Sequence, residues 1–99
     1  MNLHLHDLVT EEQVRLHQAQ NVVYWINKKA KKEDFVIIMG DFNAVPDQET
    51  VSWMTQEAGF KSSHLEFHGE EPEKTYNTGL ISPYMDTDPP CTVDYIFYR

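Results

Sequence analysis

The sequence predicts a mixed α/β fold of the α+β kind, a small mixed sheet with helices on one side. Three observations predict it. Polar and apolar residues alternate at both ends of the chain, as in half-buried strands. Between them runs a stripe of apolar residues spaced three and four apart, as on one face of a helix. An unbroken apolar run, Phe35 to Met39, sits mid-chain. The 99 residues suit a single small domain.

The elements follow in order. "NLHLH", from Asn2, reads as a strand with Leu3 and Leu5 on one face and Asn2, His4 and His6 on the other. Thr10 stands three before Gln13, the spacing of a capping box, with Glu11 and Glu12 beside it where the helix dipole favours acids. Leu16, Ala19, Val23, Ile26 and Ala30 then form the helical stripe, with Val22 alongside. Lys28, Lys29, Lys31 and Lys32 fall at the negative end of the dipole, where capping and solubility account for them. "DFVIIM" lacks alternation and predicts a strand covered on both faces. Gly40 allows a turn of the backbone. Pro46 and Asp47 start a second helix, through Val51, Met54 and Ala58, which Gly59 ends. The stretch from 60 to 90 holds three glycine or proline pairs' worth of breakers and reads as a long acidic loop, with a short strand near Thr75. "CTVDYIFYR" is the final strand, Val93, Tyr95 and Phe97 alternating with Asp94, Ile96 and Tyr98. A strand–helix–strand unit favours adjacent parallel pairing of the first two strands.

Composition narrows the function. The net charge is −8, and proteins that live on a nucleic-acid backbone usually show a basic face. Glu70, Glu71 and Glu73 read as a solvated loop. One cysteine, Cys91, excludes an internal disulfide and fits an intracellular, cytoplasmic setting. No apolar run approaches a membrane span, and "MNLHLHDL" does not resemble a signal peptide.

Four residues carry candidate chemistry. Asp41 follows a buried strand, at the end where open α/β sheets present their sites. Its carboxylate can take a proton or bind a hard cation. Asn43 points the same way if the chain stays extended, and its amide can hold a water or a phosphate oxygen. Asp94 interrupts an aromatic strand, so it must face water, pair with a cation or histidine, or suffer a burial penalty. His4 lies on a strand face. Each residue also has a bland explanation, a turn aspartate or a structural histidine.

Together these residues resemble a known pattern. "GDFNAVPD" is similar to the Gly-Asp-Phe-Asn signature of the endonuclease/exonuclease/phosphatase superfamily, whose fold is DNase I-like. "NLHL" resembles the family's Asn-Thr-His-Leu strand, with Leu3 in place of threonine, and "TEEQVRLHQAQNVVYWI" resembles its next helix, including Arg15 and Gln18. "AGF" at 58–60, "KTY" at 74–76 and "VDYIFYR" match further landmarks in the family's order. The resemblance implies half of a two-sheet sandwich and a hydrolase that attacks phosphate esters with metal-assisted water, using Mg²⁺ or Mn²⁺. Asp41 would orient or deprotonate the water and touch the metal, Asn43 would hold the water or a phosphate oxygen, and His4 would donate to the phosphate. Asp94 would steer a histidine, while Asn2, Thr75 and Tyr76 would border the substrate. Nucleic acid is one candidate substrate. The poly(A)-nuclease and general-hydrolase branches are nearer in wording than the abasic-site repair branch.

The family's early asparagine and metal-binding glutamate, and its terminal Ser-Asp-His, have no counterpart in these 99 residues. Strands also sit flush with both termini. The expectation is therefore a C-terminal half-domain with an incomplete metal site, inactive alone, whose uncovered sheet face self-associates or pairs with a missing half. The competing expectation is a truncated scaffold that only binds a partner.

Overall fold

The computed structural model describes residues 1–6, 11–76 and 90–99. Its elements are β1 (Asn2–His4), α1 (Glu12–Lys29), β2 (Ile37–Asp41), α2 (Glu49–Gln56), β3 (Lys61–Ser62), α3 (Ser63–His68) and β4 (Asp94–Tyr98). They form one four-stranded sheet in the order β1-β2-β4-β3. β1 pairs parallel with β2, and β4 pairs antiparallel with both β2 and β3. The closing strand is thus central.

One face of the sheet makes the core. Ile38 and Phe42, Tyr95 and Phe97, and Leu5 meet Ala19 and Val23 of α1 and Val51 and Met54 of α2. Phe42 meets Phe97 and Tyr95 edge-on, with ring centroids 5.1 and 5.7 Å apart, the geometry ring quadrupoles favour. The period-3.6 stripe of α1 is spent here: Leu16, Ala19 and Val23 are buried and Ile26 packs against the core's edge.

Several local expectations change. β2 is covered on one face only, because Ile38 is fully buried while Ile37 and Met39 remain 38% and 41% exposed. The apolar run reflects what the second face can bury, not what α1 and α2 cover. Helix α1 starts from Glu11, whose carbonyl accepts from the Val14 and Arg15 amides, and no side chain caps it. Thr10, proposed as the cap, lies outside the described residues. Pro46 and Asp47 form a turn ahead of α2 rather than its first residues. The segment after Gly59 is not one long loop. β3 extends the sheet beside β4, and α3 follows it directly, ended by Gly69 in the left-handed region at φ 80°. Gly79, Pro83 and Pro89 of the predicted loop lie outside the described residues. The strand expected near Thr75 is a single antiparallel bridge, Tyr76 to Cys91.

Gly40 has a different role from the one its sequence position suggested. It stays within β2, and a Cβ there would stand 2.0 Å from the Leu3 carbonyl oxygen. Only glycine lets β1 approach this closely, and φ of 138° adds to the requirement.

Candidate functional site

Register alone assembles the site. His4 is paired with Asp41 across β1 and β2, and Asp41 with Asp94 across β2 and β4. Residues in register point to the same side of a sheet. The three side chains therefore form one row across the face opposite the core, at the end where β1 and β2 finish and β4 begins. His4 Nε2 lies 3.7 Å from Asp41 Oδ2. The next row down is Asn2, Met39 and Ile96.

Two carboxylates directly opposite one another repel, at a cost of about 0.2–1 kcal/mol. Nothing in core packing requires this arrangement, since Asp94 is exposed. A cation placed between them would relieve it. Of the three outcomes open to Asp94, it takes the first and faces water.

Asn43 departs from the extended path assumed for it. Its φ is 48°, and its backbone N–H donates to Asp41 Oδ1 at 2.8 Å, closing an Asx turn. Its side-chain Nδ2 donates to the Leu5 carbonyl at 2.8 Å. Asn43 thus ties the ends of β1 and β2 together beside the row. One Asp41 oxygen is committed to this turn, and the other faces His4.

The chain beyond β1 is fixed from α1. Gln18 Oε1 accepts the His6 amide at 2.9 Å, and Arg15 Nη1 donates to the His6 carbonyl at 3.2 Å. This gives a physical meaning to two of the residues singled out in that helix. On the other side, the Thr75 hydroxyl oxygen accepts the Val93 and Asp94 amides, each at 3.0 Å. Thr75 therefore sets the start of β4 and with it Asp94. Tyr76 forms a backbone bridge with Cys91.

A cavity of about 710 Å³ opens on the same face. Asn2, Met39, Thr75, Asp94 and Ile96 line one side, and His64, Phe67 and His68 of α3 line the other. The sequence suggests a loop for those two histidines. In the structure their ring centroids lie 4.3 Å apart with the planes tilted by 36°, and His64 Nδ1 meets the Glu70 carbonyl at 2.8 Å. The i, i+4 spacing of His64 and His68 was the available signal, but it needed α3 to be recognised first.

The donor set does not make a metal centre by itself. A magnesium ion takes about six oxygen ligands. Among the described residues, no three His, Cys, Asp or Glu side chains come together closely enough to hold a metal ion. Asp41 and Asp94 could contribute carboxylate oxygens, but further donors would have to come from elsewhere. Among the described residues no helix is long and apolar enough to cross a membrane.

Known structures share the fold that positions these residues. The human Nocturnin catalytic domain, solved with a bound sulfate anion, superposes with a TM-score of 0.72 at 24% identity, over 98% of this chain and 33% of that one. TDP2 from D. rerio, solved with a single-strand DNA product, gives 0.67 at 24% identity, over 100% of this chain and 40% of that one. A conserved protein of unknown function from Enterococcus faecalis gives 0.66 at 22% identity, over 99% and 36%. The chain thus spans a third to two-fifths of the length of these structures, and the likeness shows that its sheet and helices follow the DNase I-like fold. No curated protein matches the sequence. The model of the endonuclease/exonuclease/phosphatase family matches residues 5–99, well beyond half of the chain, and the chain belongs to that family.

Proposed function

We propose that this chain carries part of the active site of a hydrolase acting on phosphate esters, and that a second portion of protein completes it. The observation that carries the reading is the cross-sheet row of His4, Asp41 and Asp94 on the uncovered face. Nothing in the core explains why two opposed carboxylates and a histidine should share one row. Phosphoryl transfer needs such groups: a carboxylate to orient and deprotonate water, and a donor to meet charge on the phosphate. In this reading Asp41 takes the water's proton through Oδ2, the oxygen on the His4 side, while the Asx turn holds the carboxylate still. His4 donates an imidazole N–H to a phosphate oxygen. Asn43 offers its remaining amide hydrogen to the same oxygen or to the water. Asp94 orients a donor from the completing portion, and Asn2 and Thr75 border the substrate. A divalent metal, when bound, would stabilise charge on the phosphate. The described residues do not complete its ligand set.

The same face exposes Ile37, Met39 and Ile96. We propose that a further layer of protein covers it, either the rest of a longer domain or a second copy. Size-exclusion chromatography with light scattering checks the second case: a clean monomer at high concentration removes self-association. The chain alone should hydrolyse bis(p-nitrophenyl) phosphate at background rate. In a longer polypeptide containing this segment, Asp41→Ala should lower kcat by about 10²–10⁴-fold. A variant retaining more than half of the wild-type rate would overturn the role of Asp41.

One observation favours a second reading, a scaffold that binds without catalysis. Asp41 Oδ1 is spent on the Asn43 amide and Asn43 Nδ2 on the Leu5 carbonyl of the neighbouring strand, bonds that a purely structural junction would also make. Under that reading the longer polypeptide would also be inactive.

A further inference from the structure

We infer that the pole of the molecule opposite the candidate site binds single-stranded nucleic acid. The inference uses none of His4, Asp41 or Asp94, so it stands or fails apart from the proposed activity. Tyr24 and Trp25, on the solvent side of α1, are 53% and 56% exposed. Their rings meet edge-on at 5.8 Å, and Lys28 Nζ lies over both, 4.5 and 5.3 Å from the two centroids. Trp25 also walls a cavity of about 390 Å³, with Met1, Ile26, Lys29 and Ala30. The helix buries its apolar stripe on the other side, so core packing does not require these rings to be aromatic.

The charge distribution is as uneven as the aromatic one. The chain has eight lysines and arginines against sixteen acids. Lys28, Lys29, Lys31 and Lys32 lie together at this pole. Arg99 joins them, its Nη2 donating to Asn27 Oδ1 of α1 at 2.7 Å, and Lys61 is paired with Tyr98 at the same end of the sheet. Glu33, Asp34 and Glu57 are the acids interspersed there, and Asp34 is already engaged with the Lys31 amide at 2.7 Å. Arg15 is buried against Glu12, which leaves Lys74 as the one lysine or arginine away from this pole on the surface of the described residues.

Helix-end electrostatics explains Lys28 and Lys29 but not this whole pattern. Lys31 and Lys32 lie past Ala30, where the backbone is already extended, and the dipole gives no reason for two exposed rings. Exposed aromatic faces interleaved with cations are what a flexible single strand needs: rings for its bases and charges for its phosphates. A lipid surface fits less well, because the apolar stripe of α1 is committed to the core and cannot enter a bilayer.

The test is fluorescence anisotropy of a short labelled oligodeoxyadenylate titrated with the full chain, over a range of salt. Trp25→Ala should weaken binding by roughly tenfold, with Trp25→Phe restoring much of it. Lys31→Ala with Lys32→Ala lies beyond the helix and should not unfold it. That pair should lower the slope of log Kobs against log salt by roughly 0.7 per lysine. Circular dichroism of each variant separates lost folding from lost binding. No binding by the folded wild-type chain, unchanged binding by both variants, or binding to phosphatidylserine vesicles in preference to the oligonucleotide would each overturn the inference.

Discussion

Replacing Glu12 with glutamine should cost this fold about 3 kcal/mol. Glu12 joins three elements. Its Oε2 receives Arg15 Nε at 2.9 Å and Arg15 Nη2 at 2.8 Å. Its Oε1 receives the Thr50 amide at 2.7 Å and the Thr50 hydroxyl at 2.5 Å. Thr50 lies in the first turn of α2, so a carboxylate from α1 satisfies an N–H that α2 leaves open and meets the positive end of its dipole. Arg15 is fully buried. Glutamine keeps an oxygen for Thr50 but turns an amide N–H₂ toward the guanidinium, donor against donor, and takes the Glu12 charge away from a buried cation. Breaking a buried pair from one side typically costs about 3–5 kcal/mol, and the 19% exposure of the Glu12 side chain argues for the lower end. For a domain near this size that lowers Tm by roughly 12–24 °C. Urea denaturation followed by far-UV circular dichroism gives the number. Glu11→Gln is the control, since Glu11 caps nothing with its side chain, and should stay within about 0.5 kcal/mol. A single-variant cost below about 1 kcal/mol would refute the account of Glu12 as the joint between α1 and α2.

Other outcomes follow from single contacts. Gly40→Ala should cost about 3 kcal/mol or more and disrupt β1, since its Cβ would meet Leu3 backbone atoms at 2.0 and 2.7 Å; loss of soluble folded protein, or a collapsed urea midpoint, checks it. Tyr95→Phe removes the hydroxyl that donates to the Ala44 carbonyl at 2.8 Å and should cost about 1–2 kcal/mol in the same urea assay. Burial, and secondarily the charge of Glu71, holds the Tyr95 hydroxyl well above the ordinary tyrosine range. Its share of stability is therefore full below about pH 10 and is lost as pH rises beyond it, where the unfolded chain's tyrosine ionises first. An absorbance titration should show Tyr95 ionising only as the protein unfolds. Thr75→Val removes the oxygen that accepts the Val93 and Asp94 amides and should cost about 2 kcal/mol. In an active longer polypeptide, it should lower kcat more than it raises KM.

The sequence was most legible where periodicity and burial coincide. α1 could be read from Leu16, Ala19 and Val23 because all three face one core. β4 could be read from Val93, Tyr95 and Phe97 for the same reason. The site row was legible as residue types and not as a row: Asp41, Asp94 and His4 could be named, but their alignment depends on register between strands far apart in sequence. Asn43 shows a different limit. Its left-handed backbone follows from the bond its amide makes to Asp41, which no spacing rule reveals. α3 was missed because six residues are too few for a helical stripe, and none of its residues is buried. Both-sided coverage of β2 failed because an apolar run reports what a strand can bury, while the described residues cover only one side of it.

That second side connects the energetics to the chemistry. A strand with Ile37 and Met39 half exposed beside Ile96 leaves dispersion and transfer energy unused, at about 25 cal/mol per Å². Natural domains seldom leave a sheet face in that state unless something covers it. The row of His4, Asp41 and Asp94 lies at the end of this face and not on the packed one. Whatever layer buries Met39 and Ile96 would therefore arrive with its own side chains directly over the two opposed carboxylates. Covering the apolar rows and completing the polar row are one event in this geometry. Charge repulsion between Asp41 and Asp94 is tolerable while both face water, and becomes costly once the layer excludes it, unless the layer supplies or recruits a cation. A covering layer without such a counter-charge should therefore bind more tightly when Asp94 is replaced by Asn, whereas one that brings a cation should bind less tightly. Calorimetric titration of the wild-type chain and Asp94→Asn with that layer reads the sign directly.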